Sequence, residues 1–286
     1  MPFGPERMTT RDTPQLRQFY EENRTDEVYK DFTFQYSVDE LERKIADAEA
    51  QGKIATVKEH SYHMMDSETF GSHIDIQRES RPRPVIEDKC LDLPESERPH
   101  AATPSLPVPN PTLLPDRLLV SFTPVFIIRH PARMLPSLLR TFGQVGATAF
   151  DTDFPVDSSF KWQRMVYDCY KAWFGNDSAL PIVIDGDKLI NDPEGQMEKL
   201  CKGVGLDPAG LRYTWEVEVP DTPVKALFKR TLCASTGVMK GQEIPPVIDD
   251  EMKKWAGEWG DDTAQELKRH AEMIMPDYEY LLQRSI

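Results

Sequence analysis

The sequence predicts an α/β fold with a mostly parallel sheet flanked by helices. Three observations lead there. Short runs rich in Val and Ile, KIATVK at 53–58, PVFII at 124–128 and LPIVID at 180–185, alternate with longer stretches of helical periodicity. The two later runs are followed by helices that open with a proline, at Pro131 and at Pro193, and crossover helices suit a parallel sheet. A chain of 286 residues, 39% hydrophobic and 29% charged, is also long and apolar enough to bury a core without disulfides or metals.

The elements follow in order. SVDELERKIADAEAQ, 37–51, opens with Ser37 and Glu40 in capping-box spacing and carries Leu41, Ile45 and Ala48 on one face before Gly52. KIATVK then reads as a short strand ending in Lys58, Glu59 and His60. From 81 to 115 there are nine prolines (82, 84, 94, 99, 104, 107, 109, 111, 115), too many for regular helix or central strand, so this is a loop excursion. PVFII is expected to be a buried parallel strand, with a helix from Pro131 to about Phe142. FKWQRMVYDCYKAWF, 160–174, puts aromatic and apolar residues on one helical face and stops near Gly175. LPIVID is the third strand, and Asp192 caps the helix that begins at Pro193. Helices around 249–257 and 262–274 close the chain. With no internal repeat and no clear boundary, residues 1–286 read as a single domain.

Charge narrows the function. A net charge of −14 excludes a broad nucleic-acid or anionic-membrane surface, because the long-range field repels polyanions. The N-terminus lacks the apolar core of a signal peptide and no window approaches 18 apolar residues, so no membrane association and a cytoplasmic location are expected. Cys90, Cys169, Cys201 and Cys233 are widely spaced, with no CxxC pair, and read as reduced thiols.

Any anion must then be held by a local cluster. Residues 117–150 contain no Asp or Glu but hold Arg117, Arg129, His130, Arg133 and Arg140. Overall composition would put roughly five or six acids in such a window. Arg129 ends a strand where ligands of open α/β sheets bind, and the next helix aims its N-terminal amides at the same crevice. The arginine fork suits phosphate, and Ser137, one turn beyond Arg133 on the same face, has a hydroxyl to add. The structural alternative is that Arg129 pairs with a carboxylate and Ser137 is a neutral helix residue.

A second candidate is Lys58 and His60. A histidine at a strand end can serve as general base, and a lysine two residues earlier projects to the same side and favours an anionic leaving group. The plainer alternative is a surface lysine and a hydrogen-bonded histidine. His63 and His73 add no metal-ligand spacing, so no metal site is expected. STGVMKG, 235–241, is a third stretch, flanked by Lys229, Arg230 and Lys240, which could lie across an anion or be a plain loop.

In order, these pieces resemble the cytosolic-type sulfotransferases of the P-loop superfamily, which use 3'-phosphoadenosine 5'-phosphosulfate (PAPS), and particularly the divergent fungal sulfotransferase-like proteins of secondary metabolism. VKEH matches the strand ending in Lys-x-His, which implies His60 as base toward the acceptor hydroxyl and Lys58 assisting the phosphosulfate. FIIRHPARMLPSLLR matches the strand, Arg-x-Pro and helix with Ser eight residues on, which implies Arg129 and Ser137 on the cofactor 3'-phosphate. IVIDGDKLINDPEGQMEKLCKGVGLD, 182–207, is similar to a later strand-acid-Asp-Pro-helix segment. Arg230, Gly237, Lys240 and Gly241 loosely echo the C-terminal Arg-Lys-Gly and glycine-lysine motif. The tyrosine expected near the adenine is replaced by Ile184 or Asp185. The family's first strand and phosphate-binding loop have no counterpart ahead of MPFGPER, and FGPER is similar to a segment downstream of that loop. The expected architecture is therefore a sulfotransferase-like, three-layer fold starting one β-loop-α unit late.

The resemblance implies sulfuryl transfer from PAPS to a hydroxyl of a small metabolite. Two alternatives stand beside it: an enzyme on this fold using His60 on a pathway intermediate without PAPS, and a non-catalytic nucleotide-binding or interaction protein. The sequence identifies neither the acceptor nor the oligomeric state, leaving room for a homo-oligomer.

Overall fold

The computed structural model describes residues 12–23, 33–65, 68–70, 83–239 and 245–286. The FGPER segment, His73, Lys240 and Gly241 lie outside the described residues. The chain folds as two compact units: the described residues up to Phe122 with Asp168–Asn176, and Thr123–Tyr167 with Asp177–Ile286.

The first unit contains helices α1 (Pro14–Glu22), α2 (Phe34–Ala50) and α3 (Asp116–Ser121). Helix α2 starts three residues before the expected Ser37. Thr33 is its cap, accepting from the Tyr36 amide at 3.1 Å, which lets Phe34 enter the core while Ser37 lies buried inside the helix. Leu16, Val38, Leu41, Met65, Leu118 and Leu119 are buried here. The expected strand at 53–58 takes no sheet partner among the described residues. Ile54 is 73% exposed there, so the apolar residues that suggest a strand have no layer to pack against. The proline-rich segment is irregular from 83 to 115, apart from a single 3-10 turn at Arg98–His100.

One ion cluster fastens that segment. Arg117, on α3, makes paired bonds to Asp88 (2.8 and 2.8 Å) and to Asp92 (2.8 and 2.7 Å), and a further bond to Glu42 of α2 at 3.1 Å. The second oxygen of Glu42 accepts from the Leu91 amide at 3.0 Å. Three carboxylates thus surround the cation at the start of the acid-free window.

The second unit is built on two parallel strands, β1 (Val125–Ile128) and β2 (Ile182–Asp185), in register from Val125 opposite Ile182 to Ile128 opposite Asp185. The connection between them holds α4 (Pro131–Gly143), α5 (Phe154–Ser158) and α6 (Lys161–Phe174), the long crossover that parallel pairing demands. Helices α7 (Gly186–Asn191), α8 (Pro193–Val204), α9 (Pro223–Cys233), α10 (Ile248–Trp259) and α11 (Asp261–Leu282) follow.

All four residues of β2 are buried, but β1 alternates, with Val125 38% and Ile127 58% exposed. This corrects the expectation of a strand covered on both faces. Helix α8 packs over β2, where a Cβ on Gly203 would come 2.5 Å from Ile182 Cδ1. The opposite face carries Phe126, Ile128 and Val183 and meets α11, whose Leu267, Ala271, Ile274 and Leu281 are buried. Helix α11 runs through Pro276 to Leu282, beyond the expected end near 274. Asp192 caps α8 as expected, accepting from the Gly195 amide at 3.1 Å. Among the described residues, no helix is long and apolar enough to cross a membrane.

Candidate functional site

In the first unit, the segment after α2 brings Lys58 and His60 together, and His60 itself has an extended backbone. Lys58 Nζ lies 2.8 Å from His60 Nε2, and both residues are exposed. An ammonium can only donate, so Nε2 is the acceptor and the ring proton sits on Nδ1. Glu59 braces the pair from the buried side. Its Oε1 accepts from the His60 amide at 2.8 Å and lies 2.7 Å from His63 Nδ1, with the His63 side chain fully buried. The His60 ring also contacts those of Tyr62 and His63, at centroid distances of 5.7 and 5.1 Å. Glu59 and His63 were not among the sequence candidates, because the turn that brings them together is not an α-helix and leaves no i, i+4 signal to read.

In the second unit, the carboxyl ends of both strands turn into helices side by side. Arg129 follows β1, and its side chain is 47% exposed. A Cβ on Gly186, the residue after β2, would stand 3.1 Å from the Ile128 carbonyl and 3.9 Å from Arg129 Cβ, so glycine lets the two turns touch. That contact delivers Asp187, whose Oδ1 lies 2.8 Å from Arg133 Nη1 and 3.4 Å from Arg129 Nε. The structural alternative of a paired Arg129 is therefore met in part, through Nε and at long range.

The amide donors expected at the start of α4 are already used. Pro131 has none, Ala132 N donates to His130 Nδ1 at 3.2 Å, and Arg133 and Met134 donate to the His130 carbonyl at 2.9 and 3.0 Å. An anion at this turn must accordingly be held by side chains, with the helix dipole as background. Burial pushes the His130 imidazole down, with Asp187 countering, which keeps the ring neutral and Nδ1 an acceptor at pH 7. Its ring packs 5.4 Å from that of Tyr278, whose hydroxyl donates to buried Asp185 at 2.9 Å. The other Asp185 oxygen caps α7, accepting from the Asp187 and Lys188 amides at 2.7 and 2.9 Å.

Ser137 is exposed two turns into α4, and its carbonyl accepts from Thr141 Oγ1 at 3.0 Å. Arg230 is exposed in the last turn of α9. Arg140 is committed elsewhere, in a paired contact with Glu258 at 2.8 and 2.7 Å and over the Trp259 ring. Of the cations in the acid-free window, Arg129 keeps the most open fork: its terminal nitrogens have no partner among the described residues.

Comparison with known proteins finds fungal relatives. The chain is 29% identical over 276 residues to sulfotransferase ppzF of Metarhizium majus (strain ARSEF 297), covering 89% of this chain and 76% of the relative. It is 28% identical over 271 residues to sulfotransferase ppzF of Metarhizium rileyi (strain RCEF 4871), with the same coverage. This chain is sulfotransferase-like. No family model matches the sulfotransferase-like chain, and no solved structure does.

Proposed function

We propose that this sulfotransferase-like chain transfers a sulfuryl group from PAPS to a hydroxyl of a small metabolite. The observation that carries the reading is the contact between Lys58 and His60, found in a chain similar over most of its length to two sulfotransferases. PAPS, when bound, supplies the sulfuryl group and a phosphate leaving group.

The residues fit such a ligand at its 3'-phosphate end. Arg129 offers an outward guanidinium fork, which binds phosphate bidentately. Ser137 adds an exposed hydroxyl on α4, the helix that follows, and Arg230 further positive charge. Lys240 and Gly241 belong to the same proposal through the resemblance alone. His60 acts as base through Nε2. Lys58 must leave that nitrogen before it can take the acceptor's proton, and the freed ammonium is then available to the leaving-group charge. Glu59 and His63 keep the segment oriented beneath. The four cysteines are free and buried, which suits a cytoplasmic setting.

Calorimetry with 3'-phosphoadenosine 5'-phosphate tests the reading. Arg129→Ala is expected to weaken binding by about tenfold or more, the value of a charge-assisted pair. His60→Ala should leave nucleotide affinity nearly intact and abolish sulfate transfer to phenolic or alcoholic acceptors. Absence of nucleotide binding, or binding indifferent to Arg129→Ala, sinks the PAPS reading.

A further inference from the structure

Asp187 stands at the anion site without a role in the reading above. Its backbone is fixed, because its amide donates to Asp185 Oδ1 at 2.7 Å in the first turn of α7. Its side chain is only 17% exposed and reaches across the junction of the two turns to Arg133 and Arg129. Yet Oδ1, the atom nearest both guanidinium groups, is buried and accepts no well-aligned hydrogen bond. The carboxylate is held there chiefly by charge, without the bidentate geometry that makes the Arg117 and Arg140 pairs strong. An oxyanion with better geometry has the advantage over it, and the two negative groups would repel across the same guanidinium.

We propose that Asp187 is the resident counter-anion of this site. It neutralises Arg129 and Arg133 until a phosphate-bearing ligand takes over Arg129, and thereby sets how tightly any anion binds there. This rests on the reading of Arg129 as a phosphate ligand and extends it to the control of affinity and release. The same chemistry accommodates a nucleotide phosphate or free phosphate, so the test uses both.

Inorganic phosphate is titrated into the full chain while the arginine Nε–H resonances are followed, for wild type and Asp187→Asn, with Asp187→Ser as second variant and thermal unfolding as a check on folding. Removing the competing charge is expected to tighten phosphate binding by about tenfold, the scale of one lost like-charge repulsion. Glu258→Gln, which deletes an equal charge from the distant Arg140 pair, should leave affinity unchanged. Adding Arg129→Ala to Asp187→Asn should abolish the gain. Unchanged or weaker phosphate binding in both Asp187 variants, an equal gain in Glu258→Gln, or a gain that survives the loss of Arg129 overturns the proposal. Should phosphate tighten as expected while 3'-phosphoadenosine 5'-phosphate binds no better than phosphate, the counter-anion role stands and the PAPS reading falls.

Discussion

The Arg117 cluster makes stability depend on pH in a direction opposite to that of an ordinary salt bridge, and Glu42→Gln isolates the effect. Glu42 is fully buried. Burial first, then the neighbouring Asp88 and Asp92 charges, raise its carboxyl from 4.5 to about 7, against the Leu91 amide that favours ionisation. Burial also pushes Asp88 up, but donors on Arg117, Glu42 and Cys90 outweigh it and leave that carboxyl at about 2. The pair therefore shares one proton toward neutrality, carried on Glu42. Since the folded chain holds this proton more tightly than the unfolded one, the Glu42 contribution is complete below pH 4.5 and is lost as pH rises through about 7. The gap corresponds to about 3 kcal/mol, which we reduce to about 2 kcal/mol for water reaching the rim of the cluster. The Asp88 contribution lies in another window, present above 3.8 and lost as pH falls through about 2. Urea unfolding of both proteins from pH 5 to 8 reads the difference. Wild type should lose about 2 kcal/mol relative to Glu42→Gln across that range, because the amide mimics the protonated acid and cannot ionise. Profiles that run parallel, or a wild type that gains on the variant toward pH 8, refute the shared proton.

Two further outcomes follow from the second unit. Tyr278→Phe removes the hydroxyl that donates to buried Asp185, and should cost about 1–3 kcal/mol in denaturant unfolding. Asp192→Ala removes the acceptor for the Gly195 amide at the start of α8 and should cost about 1 kcal/mol, with Asp192→Ser recovering most of it.

Local signals in the sequence located the helices well, because capping, proline at the first turn and apolar spacing act within a few residues. Pro131, Asp192 with Pro193, and the aromatic face of 161–174 all stand where those rules put them. Misreadings arose where distant partners decide. Residues 53–58 have a strand's composition, but no neighbouring strand meets them among the described residues. The last helix was expected to end near 274, yet α11 continues through Pro276, with Tyr278 and Leu281 buried beyond it. The acid-free window was a real feature of the chain with a misleading electrostatic reading: Asp88 and Asp92 neutralise Arg117, Asp187 meets Arg133, and Glu258 takes Arg140. Composition in a window sees covalent neighbours, whereas charges are balanced through space. Asp187 was invisible for the same reason. It reaches Arg129 only because glycine at 186 lets two turns separated by more than fifty residues touch.

Asp185 joins segments that are far apart along the chain: one oxygen starts the helix bearing Asp187, and the other receives the Tyr278 hydroxyl from α11. Function and linear distance thereby come apart. In a saturation screen for anion binding, substitutions at 278 should group with those at 129 and 187 and apart from their helical neighbours at 275 and 279. A catalogue of variants ordered by distance from the Arg-x-Pro segment would misfile that tyrosine as remote.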